Sequence, residues 1–300
     1  MSEWVLAVEG TEVGGQFAMF LALMAGVLHA AFGAMQKGQV SPWVMRGAID
    51  ISYGFMALLI VLFVVPWPEK HLWPILACVW SIHSIYKILQ AMAYNRGAYT
   101  VVYPVVRGSA PLFTVIGAYF LFGETFVFGQ WLGLLVLLVG IFGLAAYNLR
   151  TVTLERNTLN MALGLALCTG LFVAFYTTYD AYGIRQSINP FTFIAWLFLV
   201  DSFLIPIMAF GYARRNGILL KGQGLLWKGP LGGLLAVSSF GSILLATRLD
   251  KVGEAAILRE TSVIFAALIG WLFLKERVGP YRLAMMSLIV LGVVIVEFSD

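Results

Sequence analysis

The chain has 300 residues, of which 61% are hydrophobic and 11% charged, and a mean hydropathy of +0.90. A soluble globular domain carries about 25% charged residues, so the composition excludes one and implies an integral membrane protein. The net charge is only +4 and its basic residues are scattered between apolar segments, which argues against a nucleic-acid-binding surface.

A bilayer core about 30 Å thick needs roughly 20 apolar residues per helix. Ten segments qualify, at 16–37, 42–65, 71–94, 98–123, 127–148, 159–182, 190–212, 229–247, 253–274 and 279–298. The stretch before the first, MSEWVLAVEGTEVGG, is acidic where a secretory signal would be basic, so the first span is expected to be retained. Span 1 carries small residues every fourth position, Ala18, Ala22, Gly26 and Ala30, a pattern that lets backbones approach closely in lipid. It also holds His29, one turn from Phe32 and Gly33, as a candidate hydrogen-bonding or substrate-contacting group. Span 3 places Trp80, His83, Lys87, Gln90 and Tyr94 three and four residues apart, which reads as one polar and aromatic stripe facing a cavity or a neighbouring helix. Span 4 embeds Arg107 between Pro104 and Pro111 and ends at Glu124, which is expected to anchor a turn. The two prolines make this span the candidate hinge.

Span 6 repeats the small-residue stripe at Ala162, Ala166, Gly170 and Ala174, and its run FYTTYD brings Tyr176, Tyr179 and Asp180 near its end, as cavity lining or interfacial belt. Span 7 holds Asp201, a structural partner or proton-coupling candidate, and Pro206 as a kink. Span 8 offers Ser238, Ser239 and Ser242, and span 9 embeds Arg259 next to Glu260, which points about 100° away around the helix and is expected to pair with another span. A charge at the bilayer centre costs roughly 2.5–3.5 kcal/mol on insertion scales. Arg107 and Arg259 are therefore read as facing a shared polar path, where a guanidinium fork suits carboxylate or phosphate. The two cysteines, Cys78 and Cys168, lie in apolar segments and are expected as free thiols.

The stripes of spans 1 and 6 are 144 residues apart, while Arg107/Arg259, Phe113/Phe265, Glu124/Glu276 and Gly140/Gly292 share an offset of 152. Two five-span units, 1–152 and 153–300, follow. An odd number of spans per unit sets the second upside down, so the expected fold is all-α, ten transmembrane helices in two inverted five-helix repeats. Loop charge gives the orientation: Lys37, Arg46, Arg96, Arg150, Arg156, Arg214, Arg215, Lys221, Lys228, Lys275 and Arg277 fall on one side, and Lys70, Arg185, Arg248 and Lys251 on the other. The positive-inside rule puts both termini outside the cytoplasm.

Two five-helix copies, each with a glutamate closing the fourth helix (Phe-Gly-Glu at 122–124, Leu-Lys-Glu at 274–276), and His-Ala-Ala-Phe…Lys at 29–37 resemble the EamA branch of the drug/metabolite transporter superfamily. Pro111, thirteen residues before Glu124, fits that pattern; Val263 and Lys275 in the second copy, and Gly33 in span 1, depart from it. The resemblance implies a secondary transporter of a bacterial inner membrane, commonly an exporter of amino acids or related metabolites. It further implies a central cavity lined mainly by spans 1, 3, 4, 6, 8 and 9. Alternating access is expected from rocking of spans 3 and 4 against 8 and 9. The candidate substrate-binding residues are Arg107, Arg259, Glu260, His83, Lys87, Trp80, Tyr176, Tyr179, His29 and Ser239. The expected partners are a small-molecule substrate, a proton as candidate coupling ion and membrane lipid, with no nucleic acid, in a monomer or homodimer. Alternatives are a carrier of nucleotide sugars or phosphorylated metabolites, which would bring three or more cations to one cavity, a cationic drug exporter built on Glu260 and Trp80, or a non-transporting membrane protein. No HExxH, GxxxxGK[ST], GxGxxG or metal-spaced Cys/His cluster occurs, so neither enzyme activity nor a cofactor or metal is expected.

Overall fold

The structure is a computed structural model and describes residues 2–36, 41–96, 99–149, 156–218, 224–274 and 279–299. These residues form helices α1 (Ser2–Val8), α2 (Glu12–Gln36), α3 (Pro42–Phe63), α4 (Leu72–Arg96), α5 (Tyr99–Phe122), α6 (Phe128–Leu149), α7 (Arg156–Gln186), α8 (Pro190–Asp201), α9 (Leu204–Arg215), α10 (Leu225–Leu249), α11 (Val252–Arg259), α12 (Ser262–Leu274) and α13 (Pro280–Glu297). Proline opens α3, α8 and α13, where its missing amide hydrogen has no helical partner to lose. Among the described residues nine stretches are long and apolar enough to cross a membrane, and the protein is an integral membrane α-helical protein.

Two of the ten expected spans are interrupted. Span 7 is divided into α8 and α9 at Ser202 and Phe203, because Pro206 has no amide to donate to the carbonyl four residues earlier. Span 9 is divided into α11 and α12 at Glu260 and Thr261. There the Thr261 hydroxyl donates to the Leu258 carbonyl at 2.7 Å and Arg107 reaches the Arg259 carbonyl at 3.5 Å, so side chains take acceptors that a continuous helix would use. Neither α11 nor α12 alone is among the nine stretches. The expected hinge in span 4 is not a break: α5 runs unbroken through Pro104 and Pro111. Glu276, the counterpart of Glu124, and the loop residues Lys37, Arg150, Lys221, Lys275 and Arg277 lie outside the described residues.

Close glycine contacts fix the directions in which neighbouring helices run. A Cβ on Gly133 would meet the Gly292 carbonyl at 2.7 Å, and one on Gly140 the Met285 carbonyl at 2.7 Å, so α6 and α13 are antiparallel. Gly15 facing Asp250, and Ser239 bonded to the Ala25 carbonyl at 2.8 Å, make α2 and α10 antiparallel. Gly170 on Ser109 and Gly117 on Thr178 make α5 and α7 parallel, whereas Arg107 at Arg259 and Gly253 on Val115 make α5 and α11 antiparallel. The two small-residue stripes do the same job. Gly26 of α2 fits against Thr261 at the α11–α12 break, and Gly170 of α7 fits against Ser109 of α5, the residue 152 positions before Thr261.

One end of the bundle is tied shut. Arg248 of α10 pairs with Glu9 beside α1 at 3.0 Å and donates to the carbonyls of Ile184 and Ser187, and Arg185 donates to the carbonyls of Thr247 and Asp250 at 3.0 and 2.8 Å. Glu124 accepts from the amides of Val252 and Gly253 at 2.9 and 3.1 Å, capping α11 and acting as the expected turn anchor. Arg185 and Arg248 are therefore structural ties within the bundle, not loop charges as their place in the sequence suggested.

Candidate functional site

Nearer the other end, the C-terminal halves of α2 and α4, the N-terminal halves of α3 and α5 and the middle of α10 enclose a cavity of about 120 Å³, closed by Tyr176 of α7, Asp201 at the end of α8 and Arg259 at the end of α11. Spans 2 and 7 thus add Arg46, Tyr53, Phe198 and Asp201 to the lining, beyond the expected six. Span 2 reaches in because α3 lies tight on α10, where a Cβ on Gly233 would come within 3.0 Å of the Tyr53 amide. Span 7 reaches in because its break turns Asp201 inward.

Of the expected residues, His29, His83, Arg107, Tyr176, Ser239 and Arg259 line the cavity. Ser239 also spends its hydroxyl on the Ala25 carbonyl, which makes it a helix tie. Lys87 sits behind the wall, its ammonium bonded to Asp50 Oδ2 at 2.7 Å, Asp201 Oδ2 at 2.8 Å and the Tyr53 hydroxyl at 3.0 Å. Glu260 is fully buried and pairs across to Arg107 of α5, 3.0 Å from Nε, as the helix geometry predicts. Neither Lys87 nor Glu260 is in the lining itself, and two further candidates lie away from the cavity altogether. Trp80 is 38% exposed on the outer face of α4, because three residues are 300° of helix and it lies about 60° around from His83. Tyr179 is off the interior face of α7 for the same reason and packs on Tyr182, with ring centres 5.9 Å apart.

The sequence named Asp180 and Asp201 without setting them among the binding residues, and Asp50 and the inward place of Arg46 were missed. Asp180, placed there near a helix end, is fully buried and bonded to His83 Nε2 at 2.8 Å. Asp201 accepts from Lys87 and from the Tyr53 hydroxyl at 2.7 Å, and its other oxygen lies 3.7 Å from His83 Nδ1. Arg46, counted with the loops, lies within α3 and pairs with Asp50 at 2.8 Å. An acid inside an apolar span, with arginine four residues before it, is the signal that could have found Asp50.

The site therefore has two charged walls. On one, Arg46 and Lys87 face three carboxylates, those of Asp50, Asp180 and Asp201, with His83 between the last two. On the other, Arg107 is neutralised by Glu260 and held by the Ser262 hydroxyl at 3.0 Å, while Arg259, 4% exposed, has no ion-pair or hydrogen-bond partner for its guanidinium among the described residues. A buried cation left in this state is a demand for an anion. Among the described residues no cluster suited to a metal ion occurs.

Residues 160–298 match the EamA-like transporter family, as the sequence resemblance implied. A solved protein structure, described only as a crystal structure of a protein, superposes with a TM-score of 0.76 over 94% of this chain and 99% of its own at 16% identity, which shows the shared fold alone. No curated protein matches the chain.

Proposed function

We propose that this membrane protein, an EamA-type transporter of the drug/metabolite transporter superfamily, is a secondary carrier that exports an amino acid or a closely related small metabolite by alternating access. The observation that carries the reading is Arg259, a buried guanidinium without a hydrogen-bond or ion-pair partner among the described residues, facing a cavity whose opposite wall presents Asp201 with an unbonded oxygen. A ligand bearing one carboxylate and one ammonium answers both, the carboxylate on the Arg259 fork and the ammonium at Asp201. The rings of Tyr176 and Phe240, 5.7 Å apart, give its side chain an apolar seat between the walls.

The helix directions support the inverted two-repeat arrangement that alternating access requires. The two arginine-bearing elements, α5 and α11, run opposite ways, and Arg107 meets the Arg259 carbonyl where the halves come together. Packing also suggests the moving parts, since α4 and α5 both pack on α7, while α10, α11 and α12 pack on α2.

A second reading has one specific observation in its favour: three guanidinium groups, of Arg46, Arg107 and Arg259, line the cavity, as a phosphorylated ligand would need. Two of them are already neutralised, by Asp50 and Glu260, and a cavity of about 120 Å³ is small beside the roughly 300–1,000 Å³ of drug-sized sites. A cationic drug exporter loses its basis, with Trp80 outside the cavity and Glu260 occupied by Arg107.

The test is a thermal-shift screen of the purified protein against amino acids, organic anions, quaternary amines and nucleotide sugars. Stabilisation by one or more amino acids, lost in Arg259→Ala, is expected, because a ligand at a hundred times its Kd adds about 2.7 kcal/mol to the folded state. Stabilisation by nucleotide sugars or quaternary amines and not by amino acids would overturn the reading.

A further inference from the structure

We propose that the N-terminal segment, residues 2–11, is a strap that controls the opening of the tied end, because its Glu9 supplies the counter-charge that lets Arg248 stay buried across the gap between α7 and α10. This rests on the carrier reading above, in which the tied end opens during the cycle, and adds to it the latch and the element that governs it.

Helix ends supply the latch. The last four carbonyls of a helix have no partner within it and favour a nearby cation. At the tied end the C-termini of α7 and α10 lie side by side, and each provides the cation for the other. Arg185, near the end of α7, donates to the carbonyls of Thr247 and Asp250 at the end of α10, at 3.0 and 2.8 Å. Arg248, near the end of α10, donates to the carbonyls of Ile184 and Ser187 at the end of α7. Charge-assisted hydrogen bonds thus cross the gap in both directions. Because α7 packs with α4 and α5 whereas α10 packs with α2, these bonds join the two bodies whose separation would open this end.

The two arginines differ in how they are neutralised. Arg185 has a side chain 25% exposed, lies 3.5 Å from Glu124 and is stacked over the Phe122 ring. The Arg248 side chain is 6% exposed, and its ion-pair partner among the described residues is Glu9, 3.0 Å from Nε. Local structure puts Glu9 there. Val5 is buried in the same core cluster as Leu249, and the ring of Trp4 meets that of Phe17 edge-on at 5.0 Å. Gly10, with φ +71°, ends α1 in the left-handed conformation and gives its amide to the Leu249 carbonyl at 3.4 Å, while the Thr11 hydroxyl accepts from the Gly14 amide at 3.2 Å. The corner between α1 and α2 is therefore pinned to the end of α10.

The effect on opening follows from a difference between the two states. The Glu9–Arg248 pair lies within one body, whereas the bonds from Arg248 to Ile184 and Ser187 cross to the other. Once the end opens, Arg248 keeps Glu9 but leaves those carbonyls and meets water, where an ion pair is worth little. While the end is closed the guanidinium is removed from water, and the same carboxylate matters far more. Glu9 therefore favours the closed state, and a chain without that charge opens more readily.

The experiment reads thiol accessibility and needs no substrate. Val252, fully buried at the start of α11, packs with Ala118 of α5 and Ala181 of α7, on the seam between the bodies. The full chain carrying Cys78→Ala, Cys168→Ala and Val252→Cys is placed in lipid nanodiscs, and its rate of reaction with a water-soluble maleimide is measured. Glu9→Gln and Arg248→Gln are each expected to raise that rate about tenfold, equivalent to about 1.4 kcal/mol in the opening equilibrium. Glu9→Gln is expected to add nothing once Arg248→Gln is present, because Glu9 acts through Arg248. As a control, Val102→Cys replaces Val252→Cys; Val102 is equally buried but packs with Ala162 and Ala166 inside one body, and its rate is expected to stay low throughout. A rise there too would mean a loosened fold and would overturn the proposal. So would equal Val252→Cys rates with and without Glu9→Gln, or an effect of Glu9→Gln that persists beside Arg248→Gln. If the rates behave as expected while counterflow fails for every amino acid, the strap stands and the carrier reading is overturned.

Discussion

Arg107 and Arg259 carry the same guanidinium 152 residues apart, yet their surroundings assign them opposite roles. Arg107 is 3.0 Å from Glu260, and removing either partner strands a buried charge, so Arg107→Met or Glu260→Gln should each cost roughly 3–5 kcal/mol, with the double variant recovering most of it. Arg259 has no such partner, so Arg259→Met should raise the unfolding midpoint while abolishing ligand stabilisation. Thermal unfolding of the four variants in detergent checks both expectations, and an Arg259→Met protein as unstable as Arg107→Met would contradict the division of roles. Much of this site was legible in the sequence, because a charge in an apolar span is conspicuous: His83, Lys87, both arginines and Glu260 were found in that way. Asp50 was as conspicuous but stood beside a residue counted as loop. Asp180 was assigned to a helix end because α7 runs to Gln186, farther than a minimal span. Trp80 and Tyr179 were drawn in by spacing alone, and an offset of three residues left each of them 60° off the interior face.

At the scale of the helices, apolar length and the small-residue pattern placed nearly every element. The stripes of α2 and α7 are buried as their spacing predicts, and the glycines of α6 and α13 let the two backbones touch. Gly292→Leu should therefore be destabilising by about 1–3 kcal/mol or more, since a Cβ there already falls 2.5 Å from the Leu137 amide. Gly164→Leu, at a position with open space around it, should change the unfolding midpoint little. Equal effects of the two substitutions would contradict the packing described. The break in α8–α9 could be read from Pro206. The break in α11–α12 could not, because no proline or glycine occurs at 258–263; it arises from Arg107 and Thr261 competing for carbonyls, a contact between halves that no local pattern encodes. The prolines of α5 misled in the opposite sense, since packing against α7 and α6 holds that helix continuous.

Over the whole molecule, the structure is tied at one end by Glu9, Arg248, Arg185 and Glu124 and hollow toward the other. The membrane setting was visible in the sequence, and residues 160–298 match the family that the sequence resembles. The substrate reading was not, because it depends on which buried charges remain unmatched after folding, and that count requires the partners. The most direct measurement is counterflow of labelled L-amino acids in proteoliposomes holding the full chain, for wild type, Arg259→Lys and Arg259→Ala. The account predicts exchange in wild type, a reduced rate in Arg259→Lys, where the charge is kept but the fork is lost, and none in Arg259→Ala. Wild-type rates in Arg259→Ala would contradict it.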